Sequence, residues 1–275
     1  MPRRVTALNQ PQDERRIPKP RLDLVTATKT ADTGAHPFLV SASDGSLYWC
    51  KQLKNEHGPQ ATINEVVCSV IGEAIDAPTV PWEIINVPSD LVGTKTPPSA
   101  HGVSVILDSL PVFGSRLLPY ADIGDLHTRI QFGKSDGNGD RIPRLIALWL
   151  LCNAKDLQVL YDATSDMRIY SVDHGMWFGA DESPEWFLAP TSHVHAQTEI
   201  AHPDSLIPED SWTKAIEAVA DLREDIVKQI LEALPPEWGV PESDVATIAR
   251  YCLSRRDYTI ERLQTEALRN RRLVR

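Results

Sequence analysis

The sequence is poor in the residues that mark several large classes of protein. Its 275 residues include four cysteines, Cys50, Cys68, Cys152 and Cys252, and no two of them form a Cys-x-x-Cys pair. Neither a zinc ribbon nor a disulfide framework is therefore indicated. All four lie in apolar or helical surroundings, which predicts buried thiols of a cytosolic protein.

Long apolar runs and an excess of positive charge are also missing. No apolar run approaches the about 20 residues that cross a bilayer, and the N-terminus lacks the apolar centre of a signal peptide. The net charge is −10, whereas binding to nucleic acid requires a basic surface. We therefore expect a cytoplasmic protein without a membrane partner, and the charge argues against nucleic acid as its main partner.

What is present indicates a globular protein with a substantial core. Hydrophobic residues make up 42% and charged residues 24% of the chain, which allows one large domain or two packed lobes. Residues 1–22 are basic, contain prolines and have few aromatic side chains, so they are predicted to form a mobile tail. The alternative is an arm that docks on an acidic partner.

The region from residue 22 to residue 51 has the pattern of β-strands. Asp44 and Gly45 lie between two apolar runs and predict a hairpin, whose second strand ends at Lys51. Further strands are predicted at residues 82–87 and 103–107.

A helix is predicted over residues 62–75, because apolar side chains recur there at helical spacing, with Glu65 in its first turn. In protein kinases a strand-end lysine holds the α- and β-phosphates and a glutamate of the following helix holds the lysine. Lys51 and Glu65 fit this order. In the alternative interpretation, Lys51 only extends along apolar surface and Glu65 only complements the helix dipole.

The centre of the sequence has a second pair of acids. An apolar run at residues 145–151 predicts a buried helix that ends at a polar cluster containing Asp156. After a turn, a strand at residues 167–172 leads into Asp173, His174 and Gly175. Two acids separated by one hairpin can converge on a phosphate–magnesium site.

The remaining segments are predicted from composition and periodicity. Residues 108–119 are interpreted as a crossing between two lobes and residues 125–141 as a surface loop. His193, His195 and His202 fall close together but lack a carboxylate or cysteine at ligand spacing, so a polar loop is favoured over a metal site.

The C-terminal part is predicted to be helical. One helix is expected over residues 209–234, and a pair of helices over residues 242–273. Arg255 and Arg256 are interpreted as a surface or helix-capping feature.

Taken in order, several of these segments resemble the HipA-like kinase family, in particular its short stand-alone members. The segments are YWCK, Asn64-Glu65, Ala-Pro-Thr-Val-Pro, WLLCNAKDLQVLY, Ser-Val-Asp-His-Gly, Leu-Pro-Pro-Glu-Trp and the arginine-rich C-terminal helix, over roughly residues 35–265. The resemblance implies an α+β, two-lobed protein-kinase-like fold with a β-rich N-lobe at residues 23–110. A mainly helical C-lobe would follow at residues 111–275, after the tail at residues 1–22.

The resemblance also implies an ATP- and magnesium-dependent kinase that phosphorylates serine or threonine in a protein substrate. Lys51 would contact the phosphates of ATP and Glu65 would orient that lysine. Asp156 would accept the proton of the substrate hydroxyl, and Asp173 would hold Mg²⁺ within the Asp-His-Gly turn.

The chain departs from the family pattern in two places. The family has Asn-x-Asp-Arg-like residues followed by a metal-binding asparagine, whereas this chain has Lys-Asp-Leu-Gln at residues 155–158 and Tyr161 near the asparagine position. Gln158 is the candidate for the missing metal-side ligand. No glycine-rich phosphate loop is evident, and the hydroxyls of Ser43 and Ser46 could serve near a phosphate or belong to a plain hairpin.

Three functional hypotheses therefore remain open from the sequence. The first is an active, divergent HipA-like serine/threonine kinase. The second is a catalytically weak or inactive pseudokinase that acts through a partner protein, for which the family suggests a toxin–antitoxin or phage-defence setting. The third is an unrelated α/β protein in which Asp-His-Gly is an ordinary turn.

Overall fold

The computed structural model describes residues 21–124, 129–179 and 197–272. The predictions for residues 1–20 of the tail and for His193 and His195 lie outside these ranges. The strands are β1 Leu22–Thr30, β2 Phe38–Ala42, β3 Leu47–Lys51, β4 Trp82–Asn86, β5 Val112–Arg116, β6 Ala121–Ile123, β7 Gln158–Asp162 and β8 Arg168–Val172. The helices are α1 Pro59–Ala74, α2 Asn138–Leu151, α3 Glu209–Asp221, α4 Asp225–Ala233, α5 Glu242–Ser254 and α6 Arg256–Arg271.

The first five strands form a closed barrel in the order β1-β2-β3-β5-β4. The hairpin predicted at Asp44 and Gly45 is confirmed, because β2 and β3 pair antiparallel on either side of it. Side chains alternate between the two faces of β3, so Tyr48 and Cys50 are buried in the small core of the barrel. Lys51, the last residue of β3, faces the other way and is only partly buried.

Two strand predictions in this region are wrong in detail. Residues 103–107 do not form a strand, because their backbone hydrogen-bonds to residues 93–99 instead of joining the barrel. The segment predicted as a crossing, residues 108–119, contains strand β5, which pairs with both β3 and β4. The lobe boundary predicted at residue 110 therefore falls before the last strand of the barrel.

Helix α1 is buried on all sides. It begins at Pro59, which has the fixed backbone angle that suits a first helical position and follows Gly58 with φ 80°. Because the helix starts earlier than predicted, Glu65 lies in its second turn. Every residue from Ala61 to Gly72 is buried, so the stripe expected from the sequence covers the whole circumference. The helix packs against β5, α2 and α4.

The main core surrounds α2, as predicted for residues 145–151, all of which are fully buried. The second sheet, in the order β6-β7-β8, packs on this helix through β8. The single helix predicted over residues 209–234 is instead α3 and α4, interrupted at the buried Leu222, whose backbone is extended. Within the described ranges, none of the helices has the length and hydropathy of a membrane span.

The Leu-Pro-Pro-Glu-Trp segment connects the helical part to the barrel. It contains a 3₁₀ turn at Pro236–Trp238, in which Trp238 is buried. The indole Nε1 of Trp238 donates to the carbonyl of Pro111 at 2.8 Å, and Glu237 pairs with Arg21 at 2.8 Å. These contacts hold the residues before β5 and β1 of the barrel against the turn between α4 and α5.

Arg255 caps the C-terminus of α5, as one of its two interpretations predicted, but it is fully buried and not a surface feature. Its Nε donates to the carbonyl of Leu150 at 2.8 Å and its Nη2 donates to Thr198 Oγ1 at 2.8 Å. Its guanidinium also lies over the rings of Tyr251 and Tyr258. A buried charge is tolerated because hydrogen bonds and aromatic faces replace its water.

We predict that Arg255→Ala lowers the free energy of unfolding by at least about 3 kcal/mol, because a buried carbonyl and hydroxyl lose a charged donor. Urea denaturation measures this change, and the m value should stay the same. The control is Arg250→Ala, which removes an exposed pair with Glu224 at 3.6 Å and should cost about 1 kcal/mol or less. Equal effects of the two substitutions would contradict the structural role of Arg255.

Candidate nucleotide site

A cavity of about 350 Å³ is lined by residues of both the barrel and the three-stranded sheet. Its charged lining residues Lys51, Glu65 and Asp173 lie together, because Lys51 contacts both acids. Most of the remaining lining is apolar and includes Trp49 and Leu160. A cavity with a charged cluster and apolar walls suits a ligand that carries both an anionic group and a flat ring system.

Lys51 lies between two carboxylates that come from different parts of the chain. Its Nζ is 2.5 Å from Glu65 Oε1 and 2.6 Å from Asp173 Oδ1. Burial by itself would lower the pKa of Lys51, but the charges of Glu65 and Asp173 outweigh burial and raise the pKa above its usual value. The lysine is therefore a fixed cation.

Glu65 is almost completely buried and both of its oxygens have partners. Oε1 contacts Lys51, and Oε2 accepts the backbone N–H of His174 at 3.2 Å. Burial would raise the pKa of Glu65, but the charge of Lys51 and the contacts with His174 lower it from 4.5 to about 2. The carboxylate is therefore ionised throughout the physiological range.

The hairpin of β7 and β8 brings Asp156, Gln158 and Asp173 together. Its register pairs Gln158 with Val172, the residue before Asp173. The amide Nε2 of Gln158 lies 3.2 Å from Asp173 Oδ2 and 3.4 Å from Asp156 Oδ2. Both aspartates have left-handed backbone conformations, with φ 50° at Asp156 and φ 58° at Asp173, and such strained backbone is concentrated at functional sites.

Tyr161 lies away from this cluster. Its hydroxyl accepts the backbone N–H of Gln131 at 2.9 Å and its ring packs edge-on against Phe132. In this chain the amide between the two carboxylates therefore belongs to Gln158, and the side chain at the approximate asparagine position has a structural contact instead.

Ser43 and Ser46 are not part of the cavity lining. The pairing of Phe38 with Cys50 puts the start of β2 beside the end of β3, so the turn that contains both serines lies at the opposite end of the hairpin from Lys51. The hydroxyl of Ser43 instead accepts the backbone N–H of Asp23 at 3.0 Å.

The connection between β1 and β2 lines part of the cavity, so it takes the place that was predicted for the turn with Ser43 and Ser46. Ala31, Thr33 and Pro37 contribute to the lining. Gly34 in the same connection packs so closely on the imidazole of His57 that a side chain there would clash with it. The sequence signal was weak, because this connection has one glycine instead of a glycine-rich run.

Asn64 also has a role that its place in a sequence motif did not reveal. It is fully buried, and its Nδ2 donates to the carbonyls of Gly175 at 2.7 Å and Trp177 at 3.2 Å. A Cβ at Gly175 would lie 3.3 Å from Ala61, so this turn fits closely on α1. The available signal was a polar residue beside the apolar stripe of the helix, next to Ile63.

The carboxylates and the amide around Asp173 fit magnesium bound together with a nucleotide. Among the described residues, no cluster of three or more His, Cys, Asp or Glu side chains could hold a metal by itself. Mg²⁺ does not require such a cluster, because it is usually bound by one or two carboxylates together with substrate phosphates and water. Asp156 and Asp173 can provide carboxylates for that partial set, and Gln158 can add its amide oxygen when the amide is turned so that Oε1 instead of Nε2 faces them.

Comparison with known proteins bears on the family resemblance and on the fold. A family model described as HipA-like kinase matches residues 25–129, so the predicted resemblance is confirmed over that segment. The structure of a Helicobacter pylori proinflammatory kinase, CtkA, has a TM-score of 0.55 at 10% identity and covers 90% of this chain and 99% of that chain. This likeness shows that the fold is kinase-like and α+β.

Two structures of the Golgi casein kinase are more distant. One covers 89% of this chain and 76% of its own, with TM-score 0.47 and 11% identity. The other, with Mn/ADP bound, covers 89% and 75%, with TM-score 0.46 and 11% identity. The comparison with curated proteins gave no match.

The lowered pKa of Glu65 predicts how acid affects stability. Because the pKa falls from 4.5 to about 2 on folding, this carboxylate stabilises the fold fully above pH 4.5 and loses its contribution as the pH falls towards 2. The contribution is about 3 kcal/mol, and a large part of it should be lost by pH 3. Urea unfolding at pH 5, 4 and 3 should therefore depend less on pH in Glu65→Gln than in the wild type.

The control for this experiment is Glu217→Gln, since Glu217 is exposed on α3. This variant should keep the pH dependence of the wild type. An unchanged pH dependence in Glu65→Gln would mean that the carboxylate is not held by Lys51 in solution.

Proposed function

We propose that this protein is an ATP- and magnesium-dependent serine/threonine protein kinase with a two-lobed, HipA-like architecture. The observation that carries the proposal is the largely enclosed Lys51, which is held between Glu65 and Asp173 in a cavity with mostly apolar walls. In this proposal the N-lobe extends through β5 and the crossing follows at residues 117–120.

The polar residues that line the cavity have separate roles in the proposal. Lys51 binds the phosphates of ATP, and Glu65 keeps the lysine in position, since a fixed cation stabilises charge better than a mobile one. Asp173 and Gln158 hold magnesium, which neutralises charge on the phosphates when it is bound. Phosphoryl transfer depends mainly on positioning and on charge stabilisation, so these residues provide most of what it requires.

Asp156 is the proposed base that accepts the proton of a substrate hydroxyl. It is exposed, whereas Lys51 and Glu65 are enclosed, so a serine or threonine of a protein substrate can approach it from solvent. Gln158 connects it to Asp173, which keeps the base beside the metal-binding carboxylate. General-base catalysis requires the base to lie within hydrogen-bond reach of the reacting hydroxyl, which is bound next to the metal and the phosphates.

A second function, that of a pseudokinase, is favoured by one observation. The side chain near the usual asparagine position, Tyr161, is committed to Gln131 and does not reach the carboxylates. A site that binds nucleotide but transfers phosphate poorly would act through a partner protein. The two experiments below separate these functions.

The first experiment tests the nucleotide site by thermal unfolding with and without ATP and Mg²⁺. A ligand at a hundredfold excess over its Kd stabilises the native state by about 2.7 kcal/mol, which raises Tm measurably. We expect a magnesium-dependent rise in the wild type that Asp173→Asn loses. Asp122→Asn, an exposed substitution on β6, should keep the rise. No rise in the wild type at millimolar ATP would contradict the proposed function.

The second experiment tests catalysis. Asp156→Asn should lower the rate of phosphotransfer to a protein serine or threonine by about 10²–10⁴-fold, because a general base is lost, while ATP binding remains. Transfer of radiolabelled phosphate measures this rate. Full activity in the variant would remove Asp156 from the mechanism. Wild-type ATP binding without transfer to any protein substrate would favour the pseudokinase.

A further inference from the structure

The middle residue of the Asp-His-Gly turn, His174, contacts Glu65 at two points. Its backbone N–H donates to Glu65 Oε2 at 3.2 Å, and its ring Nδ1 lies 3.2 Å from the same oxygen. The side chain is 4% exposed. His174 and Lys51 thus approach different oxygens of one buried carboxylate.

Ser171 and Trp177 hold the rest of the imidazole ring in place. Its Nε2 lies 3.0 Å from Ser171 Oγ, and the ring packs edge-on against Trp177 with 4.5 Å between centroids. A hydroxyl can donate to Nε2, which leaves the proton of a neutral imidazole on Nδ1, facing Glu65. Nδ1 has no aligned hydrogen bond within the described residues, and Glu65 Oε2 lies within donor–acceptor reach of it at 3.2 Å.

Packing alone does not explain why this position holds a histidine. A phenylalanine, which protein kinases have at the middle of this turn, would fill the space beside Trp177 without burying polar atoms. Burying an imidazole costs free energy unless its nitrogens find partners. The partner within reach of Nδ1 is Glu65, the residue that positions Lys51.

We propose that His174 is a positioning residue, which donates from Nδ1 to Glu65 and thereby fixes Glu65 and Lys51 in the geometry that binds nucleotide phosphates. The proposal rests on the proposed function of the site as a nucleotide site. A polar link joins α1 to the turn after β8, where a phenylalanine would supply only apolar packing. Because Asp173 and His174 are adjacent, the same turn supplies one partner to Lys51 and one to Glu65.

The test compares three substitutions of His174 that differ in shape and in donor. His174→Phe keeps a ring but no donor, and His174→Asn keeps a donor but no ring. His174→Leu has the shape of asparagine without its donor. Calorimetric titration with ATP and Mg²⁺ gives Kd for each variant, and urea unfolding without nucleotide gives the unfolding equilibrium constant.

We expect Phe and Leu to weaken ATP–Mg²⁺ binding by about tenfold or more, the effect of one hydrogen bond to a charged group, while Asn stays within about threefold of the wild type. In a Glu65→Gln background the same Phe substitution should change Kd by less than about twofold, because the residue through which His174 acts is already altered. His101→Phe, at a histidine with an 81% exposed side chain, is the matched control and should bind as the wild type does.

Three outcomes would overturn the proposal. These are wild-type affinity in the Phe and Leu variants, an equal loss in Asn and Leu, and an equal effect of Phe with and without Glu65. If the Phe variant does not fold, the comparison of Asn with Leu decides alone.

The failure of the proposed function would look different. If the wild type bound no ATP–Mg²⁺, the unfolding experiment would still decide the positioning role. An effect of His174→Leu on the unfolding equilibrium constant that shrinks by about threefold or more in the Glu65→Gln background supports the link. Additive effects would exclude it.

Discussion

The structure of the site depends on one buried cation, Lys51, and on the two carboxylates that neutralise it. Lys51 is 12% exposed, and a lysine so buried would lose its charge if it had no anionic partner. Its partners come from α1 and from the turn after β8, so the ion pairs form only when the barrel, the helix and the second sheet are assembled together. The contacts that join these parts of the fold therefore also bring the three charges together in the cavity.

Helix α1 transmits this constraint because it has no free face along most of its length. Neighbouring residues of the helix, Asn64 and Glu65, both hold the Asp-His-Gly turn, one through backbone carbonyls and the other through His174. The helix is itself enclosed by β5, α2 and α4. Its position is therefore set by core packing, and moving Glu65 away from Lys51 would require the helix to leave the main core of the protein.

Sequence reasoning predicted the local elements and the order of the charged residues, because strand alternation and helical periodicity are local properties. It identified Lys51, Glu65 and Asp173 as candidates, and the structure places all three in contact. It failed for Ser43 and Ser46, since which end of a hairpin faces the cavity is decided by the pairing of β1 and β5 with it. It also missed the burial of Arg255, which results from contacts with α2 and with Thr198 that no local pattern records.

The structure shows where the amide side chain lies in the segment at residues 155–158, which departs from the kinase pattern. In kinases the metal-binding asparagine follows the catalytic aspartate after an intervening loop. Here one residue separates Asp156 from Gln158, and the longer side chain of Gln158 reaches both carboxylates from the first position of β7. Because the β7–β8 register fixes Gln158 beside Val172, the amide stays next to Asp173. An amide-bearing side chain is thus present among the acids, although the linear motif lacks its asparagine, so its loss from the motif is a weaker argument against phosphate chemistry than the sequence suggests.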